Sequence, residues 1–273
     1  MAKAAGDRIG RYVIDRRLGA GGMAEAYLAR QEGMAGFAKP VVIKVLHAWR
    51  AAEAKTVASF LREARVGARL SHKNIVQVLD VGEDRGEHYI VLEYVDGLTL
   101  LQLAKRCWSI SEGLPVDVAV RVGVAAAAAL EYAHAAGTVH RDISPDNIII
   151  AKDGTVKLLD FGVAKVEGAD ATKGSEIKGK VPYMSPEQLV AGDVDARTDL
   201  WSLGVTLYWA LAGKRPFVGE GELGTMRAIL EDKPVPLRTR CPAASVKLEH
   251  LVHQLLQRDK DKRVQTAAEL GKR

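Results

Sequence analysis

The sequence predicts an α+β protein in two parts: a β-rich N-terminal lobe with one main helix, and an α-rich C-terminal lobe. Two observations predict it. From Arg11 to Leu100 apolar residues recur at period two in short runs, and beyond Leu100 they recur at helical spacing. A length of 273 residues, 48% of them hydrophobic, suffices for one large domain or two small lobes sharing a cleft, with a sizeable core and no covalent staples. The N-lobe is expected over about 11–95 and the C-lobe over about 96–273.

Taken in order, Tyr12-Val13-Ile14 reads as a strand that runs into the glycine cluster Gly19, Gly21 and Gly22. Ala26, Leu28 and then Val41-Val42-Ile43 supply further strand material. Thr56–Leu70 carries Val57, Phe60, Leu61, Ala64 and Ala68 at helical spacing, and Ile75–Val81 and His88–Tyr94 return to strand. Val116–Ala136 is an alanine-rich helix and Leu200–Ala212 a long apolar one. Leu223–Leu230, Val246–Leu256 and Thr266–Leu270 are shorter amphipathic pieces. Between the first two helices lies a strand-and-loop stretch, Thr138–Glu187, rich in Asp, Asn and Gly. No internal repeat is present.

Composition narrows the function classes. The net charge is +5, with a pI of about 9.1, yet Lys and Arg are scattered without a block or interleaved aromatics. That argues against a nucleic-acid binder. The two cysteines, Cys107 and Cys241, have neither metal-ligand spacing nor a neighbouring His cluster, which fits a reducing compartment. Met1–Arg11 lacks the apolar core of a secretory signal. The longest near-apolar stretch is interrupted by Asp117, Arg121, Glu131 and His134, so it suits a buried helix and not a membrane span.

Three places in the chain carry chemistry. Leu18-Gly19-Ala20-Gly21-Gly22-Met23-Ala24-Glu25-Ala26 lies between two strands, which fits a plain hairpin turn or a flexible hairpin folding its N–H groups over phosphates. A dinucleotide fingerprint would need a helix next, whereas the residues that follow alternate. Lys44 sits inside the apolar strand Val41–Val45. Such a lysine is either a snorkelling surface residue or a buried cation needing an anion, and Glu63 on the next helix is available. His140-Arg141-Asp142-Ile143-Ser144-Pro145-Asp146-Asn147 precedes an apolar run, and Leu158-Leu159-Asp160-Phe161-Gly162 repeats a carboxylate after a strand. These are ordinary turn residues or a catalytic pair of loops. In the second reading Asn147 and Asp160 are hard oxygen ligands for Mg²⁺ beside a triphosphate, and Asp142 accepts the proton of an attacking hydroxyl.

The order of these pieces decides between the readings. Gly-rich hairpin, strand Lys, helix Glu, His-Arg-Asp, Asn, Asp-Phe-Gly and Ser185-Pro186-Glu187 together resemble the protein kinase signature set, over nearly the whole chain from Tyr12 to Leu270. Gly-Gly-Met in the loop and Tyr183-Met184-Ser185-Pro186-Glu187-Gln188 are similar to the bacterial eukaryote-like Ser/Thr kinases. The resemblance implies a two-lobed protein kinase fold and ATP-dependent phosphorylation of protein hydroxyls, with Mg²⁺ or Mn²⁺ as the metal. By the same resemblance Lys44 holds the α- and β-phosphates and pairs with Glu63, Asp142 is the base, and Asn147 and Asp160 bind the metal. The nucleotide would meet Leu18, Gly19, Ala20, Gly21, Gly22, Ala26, Val42, Lys44, the hinge Glu93–Val95, the gatekeeper Leu92, and Ile149. Asp199 would brace the catalytic loop, Glu187 would pair with Arg263, and Phe161 and His140 would stack in the spine of an active kinase.

Several positions depart from the family pattern. Ala24 stands where a third glycine is usual. Ala26 replaces the usual Val and Val42 the usual Ala, both over adenine in the family. The pair reads either as a compensated pocket roof, a loss and a gain of methyl groups offsetting each other, or as two independent drifts in a degenerating site. Ser144 stands where Ser/Thr kinases carry a lysine for the γ-phosphate, and Lys180 follows Gly179 where they carry Thr. The pair reads as an exchange, with Lys180 supplying the ammonium and Ser144 a hydroxyl. The alternative is a solvated Lys180 and low activity. Arg141 is expected to read a phosphate on Thr172 or Ser175 of the activation segment, with Lys173 and Lys178 flanking.

Two rival functions remain: a pseudokinase scaffold, against which every first-rank residue is present, and a small-molecule phosphotransferase, against which the Ser-Pro-Glu ending stands. Pro145 favours serine/threonine over tyrosine. Expected partners are protein substrates and, for autophosphorylation, a second copy in a dimer, with no nucleic acid and no membrane contact from this segment. The expected location is cytoplasmic, either as a stand-alone kinase or as the cytoplasmic domain of a longer, membrane-anchored chain.

Overall fold

The computed structural model describes residues 3–110, 113–161 and 180–273. These fall into two compact units, one holding the chain to Ser71 together with Val76–Asp96, the other holding His72–Ile75 and the described residues from Gly97 on.

In the first unit, β1 (Arg8–Ile9), β2 (Tyr12–Ala20), β3 (Ala24–Glu32), β4 (Ala38–Leu46), β5 (Val78–Asp84) and β6 (Glu87–Glu93) form an antiparallel sheet in the order β1-β2-β3-β4-β6-β5. Period-two alternation sorts its faces. Ile14, Tyr27, Ala29, Val41, Ile43, Val45 and Val91 belong to one buried cluster. Ala26, Leu28, Val42, Lys44, Ile90 and Leu92 share the other face, because Ala26 pairs with Lys44, Leu28 with Val42, Val42 with Leu92 and Lys44 with Ile90. A short helix α1 (Ala48–Ala51) precedes α2 (Ala54–Arg69), the main helix expected from Thr56, whose buried residues are Phe60, Ala64 and Gly67.

In the second unit β7 (Gly97–Thr99), β8 (Ile148–Ala151) and β9 (Val156–Leu158) make a small antiparallel sheet. The helices are α3 (Leu100–Ile110), α4 (Val116–Ala135), α5 (Pro186–Leu189), α6 (Arg197–Ala212), α7 (Gly221–Glu231), α8 (Leu237–Arg240), α9 (Val246–Leu255) and α10 (Ala267–Lys272). α6 is its axis: every residue from Thr198 to Leu211 is buried, and the helix packs on α4 and α9. Gly213 stops it in the left-handed conformation (φ 67°), where glycine carries no Cβ penalty. Ser245 and Thr266 accept from the N–H groups of Leu248 and Glu269 at 3.1 and 3.0 Å, capping α9 and α10.

Ile75 and Val76, expected in a strand with Val81, are not in β5. Leu158 N–H donates to Asn74 O at 2.8 Å, and the Asn74 amide donates to Val156 O at 2.7 Å, so the stretch His72–Ile75 is pinned to β9 instead. β2 runs six residues past the expected end at Ile14, kept in register by β-bulges opposite β3. The elements β1, α1, β7 and α8 span only two to four residues, too few to show a period, while α3 is an amphipathic helix that the sequence reading passes over. It is closed by a reciprocal pair: Thr99 N–H donates to the Gln102 side chain at 3.0 Å, and Gln102 N–H to the Thr99 hydroxyl at 3.2 Å. No helix among the described residues is long and apolar enough to cross a membrane.

Candidate active site

In the first unit Lys44 lies on β4 and Glu63 on α2, with Nζ 3.5 Å from Oε1 and both side chains 20% exposed. The lysine expected to need an anion has this one. Ala26, Val42 and Leu92 share its sheet face. Glu93 closes β6, its N–H donating to Gln77 O at 3.0 Å while its carboxylate accepts from Gln77 N–H at 3.1 Å. Val95 follows, outside the strand.

Leu18, Gly19 and Ala20 end β2, and Gly21 and Gly22 turn into β3. Gly21 N–H donates to Ala24 O at 2.9 Å. Neither Gly19 nor Gly21 has a positive φ. A Cβ at Gly19 would meet nothing within 4 Å, and at Gly21 only Ala24 O at 3.7 Å. Nothing in the described fold therefore requires glycine at these two positions. Ala24 also has no positive φ, so the missing third glycine costs no strain. Sequence reasoning missed His47, whose ring nitrogen Nε2 is 3.0 Å from Gly21 O and ties the turn to the end of β4.

In the second unit the residues expected to form a catalytic loop come together. Asp199, fully buried on α6, accepts from the N–H groups of His140 (2.8 Å) and Arg141 (2.7 Å). His134, at the end of α4, bonds the same carboxylate at 2.8 Å, a partner the sequence did not suggest. Arg141 is left-handed (φ 64°), a conformation uncommon for so large a side chain. It is held at both ends, since its carbonyl also accepts from the Gln188 amide at 3.1 Å. The His140 and Phe161 rings are 4.6 Å apart, and the His140 ring nitrogen Nε2 is 2.8 Å from Leu159 O.

Asn147 Nδ2 donates to Asp142 O at 2.7 Å and to Asp142 Oδ2 at 3.0 Å. Leu159 N–H donates to Asn147 O at 2.9 Å, extending the β8–β9 register so that Leu159 lies opposite Asn147 and Asp160 follows one residue on. Both bonds donated by the Asn147 amide go to Asp142, which leaves the Asn147 Oδ1 as the group able to accept or to ligate. Asp160 is left-handed (φ 55°), which a short polar side chain tolerates. Two hard oxygen side chains suit Mg²⁺, which keeps several waters and takes phosphate as its other ligands. Among the described residues no group of three or more His, Cys, Asp or Glu forms a ready-made metal cage. Ile149 lies in the middle of β8, half-buried, between Thr99 and Lys157.

Lys180 ion-pairs with Asp142 Oδ2. Ser144 is buried (2% exposed), and its hydroxyl has no hydrogen-bond partner among the described residues. Thr172, Lys173, Ser175, Lys178 and Gly179 lie outside the described residues.

The family model for the protein kinase domain matches residues 12–272. The chain belongs to the protein kinase domain family. It is 41% identical over 255 residues to a Myxococcus xanthus protein named tyrosine-protein kinase MasK, covering 89% of this chain and 39% of that one. It is 37% identical over 268 residues to the serine/threonine-protein kinase PknB of Mycobacterium tuberculosis, covering 95% and 42%. Among solved structures, the kinase domain of Mycobacterium tuberculosis PknI aligns with a TM-score of 0.74 at 30% identity, covering 100% of this chain and 98% of that one. The kinase domain thus spans about two fifths of the length of the curated relatives it matches. The expected two-lobed α+β kinase fold is the observed one.

Proposed function

We propose that this kinase domain transfers the γ-phosphoryl of ATP to serine or threonine hydroxyls of proteins. The observation that carries the reading is the Asp142 carboxylate: Asn147 and Lys180 hold its Oδ2, while no described donor reaches Oδ1. Oδ1 is thereby left to accept the proton of an incoming hydroxyl. As that proton leaves, the hydroxyl oxygen bonds the γ-phosphorus, the bond to the β,γ-bridging oxygen breaks, and its electron pair departs with ADP.

Lys44, oriented by Glu63, neutralises the α- and β-phosphates. Gly19 and Gly21 support the same reading, since the fold does not demand them and a phosphate pressed against the backbone does. Asn147 and Asp160 would hold Mg²⁺, or Mn²⁺, which supplies charge neutralisation to the phosphates. Leu18, Ala20, Gly22, Ala26, Val42, Leu92, Glu93, Val95 and Ile149 complete the nucleotide contacts. The PknB relatives support serine and threonine as acceptors, although MasK bears a tyrosine-kinase name. Activation by phosphate on Thr172 or Ser175, delivered within a dimer and read by Arg141, belongs to the same proposal, as does a cytoplasmic location.

The test is ADP release coupled to acceptor phosphorylation, with Asp142→Asn alongside. Turnover by the wild type that falls at least ~10³-fold in the variant is expected. Nucleotide binding without turnover, in the phosphorylated form as well, would establish a pseudokinase.

A further inference from the structure

Resting on that reading, the surroundings of Asp142 assign one more role. Lys180 stands immediately before a one-turn 3₁₀ helix, Val181–Tyr183, all three residues of which are buried. Tyr183 N–H donates to Lys180 O at 2.9 Å, and the Ser202 hydroxyl of α6 donates to Tyr183 O at 2.7 Å. The backbone that carries Lys180 is therefore anchored to the axial helix of its unit, unlike that of a solvated loop lysine. Its side chain is one-third exposed, and its described side-chain partner is Asp142 Oδ2. An ammonium has three donors, so two remain for a further anion. The residue at 144 offers no cation, and its hydroxyl is shielded from solvent without a partner.

We propose that Lys180 is a catalytic residue whose ammonium bridges Asp142 Oδ2 and the γ-phosphoryl oxygens, supplying from outside the catalytic loop the charge that Ser144 does not. When Asp142 takes the substrate proton on Oδ1, its negative charge disappears. The ammonium then loses its carboxylate partner while the phosphoryl oxygens and the leaving ADP gain charge. Its attraction passes to the transferring group during the step, so it stabilises the transition state more than the bound substrates. Lys180 thus acts mainly on kcat.

The experiment compares wild type, Lys180→Ala and Lys180→Gln, with the exposed Lys272→Ala as a charge control. Affinities for Mg·ATP and Mg·ADP are measured by titration, and phosphoryl transfer in single turnover. Both Lys180 variants are expected to bind ATP about ten-fold more weakly while keeping ADP affinity, since only ATP carries the γ-phosphate. Transfer should slow about 10²–10³-fold. Lys272→Ala should match the wild type. Wild-type ATP-to-ADP preference or wild-type transfer rate in both Lys180 variants overturns the proposal, as does an equal loss of ATP and ADP affinity. An inactive wild type would sink the kinase reading itself, and the ATP-to-ADP comparison would still judge Lys180.

Discussion

Arg263 grips Glu187 with two nitrogens, at 2.8 and 3.1 Å, across 76 residues of chain. The arginine side chain is fully buried, Thr198 donates to the same carboxylate at 2.8 Å, and the guanidinium lies 5.3 Å from the Trp201 ring centre. Its Nη1 also donates to Arg197 O at 2.8 Å, so α5, α6 and the segment before α10 meet at one ion pair. Removing one partner strands a buried charge. Arg263→Ala should therefore cost about 3–5 kcal/mol, read by urea or thermal unfolding. A loss below ~1 kcal/mol, typical of surface pairs, would contradict this account.

The same pair sets an acid limit. Burial alone would raise the Glu187 carboxyl, but hydrogen bonds and charge from Arg263, helped by Thr198, outweigh it and hold the group below its ordinary value of 4.5. A depressed carboxyl contributes stability that is fully present above the unfolded pKa and lost as pH falls through the folded one. Unfolding titrations should show wild type losing stability below about pH 4.5, with a smaller slope in Glu187→Gln. Equal slopes would remove Glu187 from the acid transition.

Lys44 and Glu63 carry a different expectation, since the pair is partly exposed. Lys44→Met should leave the melting temperature nearly unchanged while cutting phosphoryl transfer by at least ~10²-fold. Glu63→Gln, which keeps a hydrogen-bonding group toward the lysine, should cut it less. A Glu63→Gln loss as large as that of Lys44→Met would mean the glutamate does more than orient the lysine.

Val42 and Ala26 sit on one sheet face, offset by one pair across β3 and β4. If Val42 compensates for Ala26 over the adenine ring, Val42→Ala removes two methyl groups with nothing to refill the space. ATP affinity should drop roughly ten-fold, about 1.4 kcal/mol, as measured by titration. Unchanged affinity would dismiss the compensation.

Much of this was legible in the sequence because chemistry and local pattern coincide. The alternation through Val41–Val45 places Lys44 on the opposite face from Val41 and Ile43. The helical spacing after Thr56 puts Glu63 on an element next to it. Other features were hidden because they depend on partners distant in the chain. His134 reads as an ordinary last-turn histidine until it meets Asp199, 65 residues on. Gln188 reads only as the last residue of the Ser-Pro-Glu-Gln motif until its amide reaches Arg141 O. Ile75 looks like strand material, and its bridge to Leu158 with the bonds of Asn74 to β9 takes it elsewhere. The partners of Lys180 were inferred from family positions, and no periodicity could have supplied them.

The most direct measurement is label transfer from γ-labelled Mg·ATP to a basic acceptor protein, beside Asp142→Asn, followed by identification of the phosphorylated residue. The account predicts label on serine or threonine with the wild type and its loss with the variant. Label that persists in Asp142→Asn, or none from a wild type that binds nucleotide and carries activation-segment phosphate, would contradict it.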